Sequence, residues 1–350
     1  MPAESVNPAE SAPSATPFRW SDQRVIVTGG AGFLGKHIID GLHARGVADS
    51  NIVIPRRKDY DLTEKDDVVR LYADAFGGQA TMVLHLAAEV GGIGANQANP
   101  GRYFYANMAM ALHLIEQARA TGLVDRGGKF VQVGTICAYP KFTPVPFNEA
   151  ELWNGYPEET NAPYGVAKKA AWQMLDAYKL QYNMAGVYLL PVNLYGPHDN
   201  FDLFSSHVIP ALIRKCVEAM DAGAEKIEVW GTGSASREFL FIEDAAEGIL
   251  TAAEKMDTPT PINLGASFEI TIKDLVNLIA RLTGFCTDEA ELQSKIVWDS
   301  TKPDGQPRRC LDTSLAKKLL DWQAQTSFEE GLAKTISWFR EHRNDADARV

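Results

Sequence analysis

The sequence predicts an α/β protein: a doubly wound parallel sheet with a smaller, discontinuous C-terminal lobe. Three observations predict it. Arg24 to Thr28 is a short β-branched run ending in glycines, followed by a helical pattern from Phe33 to Arg45 and a second run, Asn51 to Pro55. Further strand-length apolar runs, Met82 to Leu86, Lys129 to Val133 and Val187 to Pro191, are separated by helix-length segments. Such runs suit parallel strands buried on both faces and joined by right-handed crossovers. After Asn193 the pattern loosens into Pro, Asn and Asp, and the short runs Lys226 to Trp230 and Lys295 to Trp298 suit a smaller lobe. Pro261 to Gly265 reads as one more core strand, so the chain crosses back. The expected division is a flexible tail over 1–20, a main domain over 21–192 and 238–268, and a lobe over 193–237 and 269–343.

The bulk numbers agree with a large core: 350 residues with 45% hydrophobic content. Met1 to Thr16 is rich in Pro, Ala, Ser and Glu, without the basic start and apolar run of a signal peptide. No stretch is apolar for long enough to span a membrane. The balance of 34 basic against 45 acidic residues, a net charge of -11, has the wrong sign for a nucleic-acid binder. It leaves open an anionic small molecule held by a few local cations and helix N-termini. Cys137, Cys216, Cys286 and Cys310 lie far apart with no Cys-x-x-Cys spacing, so neither a disulfide framework nor a metal site is expected, and a reducing cytoplasm fits.

Gly29, Gly32 and Gly35 stand in a Gly-x-x-Gly-x-x-Gly turn with Phe33 and Leu34, between the first strand and the first helix. There, spaced glycines let backbone approach a pyrophosphate at a helix N-terminus, as in Rossmann dinucleotide sites. An ordinary tight turn is the competing reading. At the end of the second strand, where an NAD enzyme places an acid on the ribose, the sequence has Arg56, Arg57 and Lys58. Cations there favour a 2′-phosphate and hence NADP(H); a solvated surface run is the alternative.

Tyr164 and Lys168 lie four residues apart, on one face of a helix running through Ala170 and Leu175. A phenol keeps its proton to about pH 10. A neighbouring ammonium favours phenolate and brings the group towards proton exchange with a substrate oxygen. Most Tyr-x-x-x-Lys pairs are surface pairs. This one follows a strand ending at Gly134-Thr135, whose hydroxyl can reach the same oxygen.

Gly134 to Pro140, Asn193 to Phe201 and Ser206 to Leu212 together resemble the GDP-L-fucose synthase family of extended short-chain dehydrogenases/reductases. The resemblance runs from Arg24 to about Arg340 and includes Val90 to Ile93, Trp230 to Gly233, Arg237 to Leu240 and Lys302 to Gly305. It implies an epimerase-reductase that inverts C3 and C5 of a GDP-4-keto-6-deoxyhexose and reduces C4 with NADPH, giving GDP-L-fucose. By resemblance Cys137 is the carbon base and His207 the acid on the opposite face, while Thr135, Tyr164 and Lys168 act on the ketone oxygen. A thiolate needs nearby positive charge, which His207 can supply if the two lie close. The cofactor is placed against Gly29, Gly32, Phe33, Leu34, Gly35, Arg56, Arg57, Asp61, Leu62, Ala87, Ala88 and Gly134. It also touches Thr135, Tyr164, Lys168, Pro191, Asn193, Leu194 and His207. The GDP-sugar falls to Lys215, Trp230, Arg237 and Asp304. Lys215 departs from the Arg common at its position, and Thr135-Ile136 replaces a pair of serines. The resemblance further implies a cytoplasmic homodimer without nucleic-acid or membrane partners.

Two competing functions follow from the same cleft. One is a reductase or epimerase acting on another GDP-keto-deoxy sugar, such as a heptose. The other is a non-catalytic NADP(H)-binding sensor or scaffold, which the presence of Thr135, Cys137, Tyr164, Lys168 and His207 disfavours. A 4,6-dehydratase needs a carboxylate pair beside the Thr, where this chain has Ile136 and Cys137.

Overall fold

The computed structural model describes residues 18–302 and 304–343. The tail expected over residues 1–17 lies outside the described residues. Phe18 and Trp20 belong to the packed body and not to that tail: their rings meet edge to face at 5.1 Å, and Trp20 is buried in the main core.

In chain order the strands are β1 (Val25–Thr28), β2 (Ile52–Val53), β3 (Met82–His85), β4 (Lys129–Val133), β5 (Ala185–Pro191), β6 (Asn193–Tyr195) and β7 (Ile227–Trp230). They continue with β8 (Ser236–Arg237), β9 (Phe239–Phe241), β10 (Pro261–Leu264), β11 (Ile270–Thr271), β12 (Ile296–Asp299) and β13 (Arg308–Arg309). One six-stranded sheet runs β10-β5-β4-β3-β1-β2, parallel throughout. Every residue of β1, β3 and β4 is buried, as strands covered by helices on both faces must be. The chain leaves β1 towards β2 and then returns to β3 on its other side, which opens a crevice at the carboxyl ends of β1 and β3. The edge strand β2 is shorter than the Asn51 to Pro55 run expected, because Pro55 has no N–H to extend the ladder.

Helices fill the crossovers. Phe33–Ala44 follows β1 and packs on Ile242–Lys255 through Gly41, whose Cα lies so close that an added Cβ would stand 2.4 Å from Leu250 Cδ1. Ala162–Tyr182 precedes β5; proline sits in its first turn and Asn183 ends it in the left-handed conformation, φ 53°. A second hydrophobic cluster gathers Ile209, Ile213, Val217, Val229, Leu275, Ile279 and Phe339, with Phe201 and Phe339 stacked at 4.5 Å. There β7 and β12 pair in parallel, and the helix Val208–Ala222 packs on Ile272–Thr283.

Candidate active site

The crevice between β1 and β3 opens on the glycine turn. Gly29 has φ +72°, and a Cβ on it would lie 2.8 Å from the Ala87 nitrogen; one on Gly35 would lie 2.2 Å from the Gly29 carbonyl oxygen. Only bare backbone lets the helix Phe33–Ala44 start so close to the strand end. No side chain caps that helix at Gly32, so its first N–H groups remain for an anion. This cradle fits a dinucleotide pyrophosphate. A cavity of about 340 Å³ beside it is lined by Gly29, Gly32, Arg56, Arg57, Asp61, Leu62, Ala87 and Ala88, so these eight expected cofactor residues come together. Phe33 and Leu34 do not line it: Phe33 packs against the second hydrophobic cluster and Leu34 against both that cluster and the main core. Nor do Gly134, Pro191, Asn193 and Leu194 line it. A Cβ on Gly134 would meet the Tyr188 ring at 2.6 Å, and Asn193 Nδ2 donates to the Glu238 carbonyl at 3.0 Å.

Glu89 lines the same cavity and was not expected. It accepts from Arg57 Nη1 at 3.1 Å and from Arg102 Nε at 2.6 Å, so Arg57, though largely exposed, is paired at the cavity wall. Asp61 turns to its own loop, accepting from the Thr63 hydroxyl at 2.7 Å and the Thr63 amide at 3.0 Å. Those bonds hold its pKa below the usual carboxylate value.

The chemistry-bearing residues meet beyond β4. Thr135 Oγ1 accepts from the Cys137 amide at 3.1 Å and so caps the single helical turn Ile136–Ala138 that carries the thiol. The helix Ala162–Tyr182 lies directly on this turn, since a Cβ on Gly165 would stand 2.2 Å from the Cys137 carbonyl oxygen. Tyr164 and Lys168 project from its face, with Nζ 5.9 Å from the ring centroid. Burial, and then the neighbouring Cys137, push the Tyr164 pKa above the ordinary phenol value, against a hydrogen bond from Thr135. The easier proton loss expected from the neighbouring Lys168 does not follow, and the phenol holds its proton more firmly than a free one. Burial draws Lys168 down to about 8.

His85, unremarked in the sequence, stands at the end of β3 in register with Thr28 and Gln132. It is buried, with Nδ1 2.7 Å from Thr28 Oγ1. Burial and the charge of Lys168 hold its pKa well below 6.5, so it is neutral beside the helix Ala162–Tyr182. A histidine closing an otherwise apolar strand was the only signal for it.

Around Cys137 the contacting cation is Arg309, Nη1 3.7 Å from Sγ, where the sequence reading looks to His207 for the charge. His207 opens the helix Val208–Ala222. Its ring is crowded by protein, which lowers its pKa, while the residue as a whole stays exposed; contact with water limits that lowering. Arg237 donates Nη1 to the Ser236 carbonyl at 2.7 Å and Nη2 to the Asp304 carbonyl at 2.6 Å. Burial, then Arg309, bring its pKa to about 10. The Asp304 carboxylate accepts from the Thr232 amide at 2.8 Å and hydroxyl at 2.7 Å, so it shapes the turn after Trp230. Half-exposed Trp230 carries Lys302 Nζ 5.1 Å from its ring centroid. Lys215 Nζ donates to the Glu228 carbonyl at 2.8 Å, against β7.

Comparison with known proteins agrees with this arrangement. Residues 25–265 match the model of the NAD dependent epimerase/dehydratase family. The chain is 37% identical over 319 residues to the probable GDP-L-fucose synthase 1 of Oryza sativa subsp. japonica, covering 91% of this chain and 92% of that one. It is 35% identical over 334 residues to the GDP-L-fucose synthase of Escherichia coli (strain K12), covering 93% and 98%. Among solved structures, a GDP-L-fucose synthetase from Naegleria fowleri superposes with a TM-score of 0.82 at 26% identity, over 95% of this chain and 98% of that one. With the Thr135, Cys137, Tyr164 and Lys168 cluster at the end of a six-stranded parallel sheet, the chain belongs to the GDP-L-fucose synthase family within the NAD dependent epimerase/dehydratase family.

Proposed function

We propose that this enzyme converts a GDP-4-keto-6-deoxyhexose to GDP-L-fucose by inverting C3 and C5 and then reducing C4, with NADP(H) as cofactor. The observation that carries this reading is one cluster holding two kinds of group: a thiol beside a guanidinium, and a Thr135, Tyr164 and Lys168 set suited to a carbonyl oxygen. A C4 ketone acidifies the hydrogens on C3 and C5. The Cys137 thiolate removes such a proton, and the electron pair shifts onto the C4 oxygen as an enolate. His207 gives a proton to the opposite face of the carbon as the enolate returns to the ketone; the thiol then gives its proton to solvent and His207 takes one up. Bound NADPH supplies hydride to C4. Tyr164 gives its proton to the C4 oxygen and recovers one from solvent, so ketone, NADPH and one proton become alcohol and NADP+. Lys168 orients the phenol and polarises the oxygen, and Arg237 and Trp230 receive the diphosphate and base.

The division into a cofactor domain and a substrate lobe is supported by the separate hydrophobic cluster of Ile209 to Val229 and Leu275 to Ile296, although Phe239 and Phe241 pack there too. A homodimer is supported by Phe104, Tyr105 and Leu112, exposed on the helix Pro100–Ala120. Light scattering behind a sizing column measures that state, and imaging of a tagged chain tests a cytoplasmic location.

The reaction itself is tested with NADPH and GDP-4-keto-6-deoxymannose in D2O. The expected product is GDP-L-fucose carrying deuterium at C3 and C5, read by NMR, with loss of NADPH absorbance. Cys137→Ser should block incorporation while NADPH is still slowly consumed. Full incorporation and double inversion at normal rates in both Cys137→Ser and His207→Gln would remove these two residues from the epimerisation.

A further inference from the structure

A carbon base must be ionised at the pH where it works, and a free thiol, with a pKa of about 8.5, is mostly protonated near neutrality. Four side chains interact with Cys137: Thr135, which accepts from its amide within the same turn, Tyr164 from the helix Ala162–Tyr182, Arg237 from β8 and Arg309 from β13. The first two are neutral. Arg237 has both Nη groups committed to the carbonyls of Ser236 and Asp304. Arg309 is the one in contact, with Nη1 3.7 Å from Sγ.

Arg309 is also held in place. It is buried, its Nε donates to Gln306 Oε1 at 2.6 Å, and Gln306 Nε2 in turn donates to the Lys141 carbonyl at 2.7 Å. Glu158 is the acid that feels its charge: burial opposes ionisation there, but hydrogen bonds from Thr160 and Asn161, together with Arg309, keep its pKa below the usual value. The carboxylate of Glu158 is already occupied by the Thr160 and Asn161 side chains, at 2.5 and 2.9 Å. The guanidinium of buried Arg309 repels the charge on part-buried Arg237, the second cause of its lowered pKa after burial itself. A negative sulfur between them relieves that repulsion.

We propose that Arg309 is the positioning residue for the base: its fixed guanidinium holds the Cys137 sulfur as a thiolate aimed at the sugar ring. The same negative charge keeps the Tyr164 phenol protonated, after burial the second cause of its raised pKa. Base and proton donor are thereby held apart in ionisation within one cluster. The inference rests on Cys137 being the carbon base, but the ionisation of the sulfur is measurable without substrate.

The test is the rate of alkylation of Cys137 by iodoacetamide as a function of pH, read on the Cys137 peptide by mass spectrometry so that Cys310 does not contribute. The wild-type inflection is expected below the free-thiol value of about 8.5. Arg309→Met and Arg309→Gln should each raise it by about one pH unit or more, with alkylation near neutrality about tenfold slower. Arg309→Lys, which keeps the charge, should return most of the shift. A wild-type inflection at or above the free-thiol value overturns the proposal without any variant. So does an unchanged inflection in either neutral variant that retains its melting temperature and NADPH affinity. Should Cys137→Ser keep full deuterium incorporation, the base assignment falls, and the alkylation profile still decides what Arg309 does to the sulfur.

Discussion

Gly165→Ala isolates the packing of the helix Ala162–Tyr182 on the thiol-bearing turn. The added Cβ would stand 2.2 Å from the Cys137 carbonyl oxygen, 2.8 Å from its carbon and 3.3 Å from Ala138 Cα. An ordinary carbon–oxygen contact is about 3.3 Å or longer, so helix and turn must part by about 1 Å. All three atoms are backbone, so no side chain can swing away. Alanine favours the helix by about 1 kcal/mol over glycine, while forcing apart packed backbone costs about 1–3 kcal/mol. The net change in stability is therefore a loss of at most about 2 kcal/mol, and the variant should fold. Its chemistry should not survive as well, because Tyr164 and Lys168 ride on the displaced helix while Thr135 and Cys137 stay on the turn. A misplacement of about 1 Å can lower turnover about 100-fold. Steady-state kinetics with NADPH and the keto sugar, alongside thermal unfolding and NADPH titration, separate the two effects. Wild-type kcat in a folded Gly165→Ala variant would refute the argument that this glycine sets the distance between base and acid.

Tyr164→Phe removes the proton donor at nearly constant volume, so reduction should fall at least about 100-fold, with NADPH binding retained in a fluorescence titration. Unaltered reduction would remove Tyr164 from the ketone chemistry. Replacing both Arg56 and Arg57 by Gln should lower kcat/KM for NADPH about tenfold and leave NADH nearly unaffected, since charge-assisted hydrogen bonds to a phosphate contribute about 1.5–3 kcal/mol and Arg57 is largely exposed. A parallel loss with both cofactors would show that these cations do not meet the 2′-phosphate. Lys168, drawn down to about 8 by burial, carries its charge below that pH and loses it above. The kcat/KM of reduction should accordingly decline as pH rises through about 8, and Lys168→Arg should move that limb upward. A profile flat to pH 10 in the wild type would contradict the assignment.

The runs β1, β3, β4, β5 and β10, the glycine turn and the Tyr164–Lys168 spacing were legible in the sequence, because each is a local pattern: continuous apolar runs, backbone that demands glycine, and two side chains one helical turn apart. The thiol was singled out only through the family resemblance; that Thr135 caps its turn is a finding of the structure. Contacts between distant segments were not legible. Arg309 meets Cys137 across 172 residues of chain, Thr232 meets Asp304 across 72, and Arg57 meets Glu89 across 32. No periodicity relates such pairs; they are set by which distant segments the fold brings side by side. Ionisation was likewise decided in three dimensions. The sequence placed an ammonium beside a phenol and implied an easier proton loss, but burial disfavours every charged form, raising Tyr164 and lowering Lys168 and His85. Spacing along a chain tells which groups can meet, and only the folded surroundings determine how much water each of them keeps.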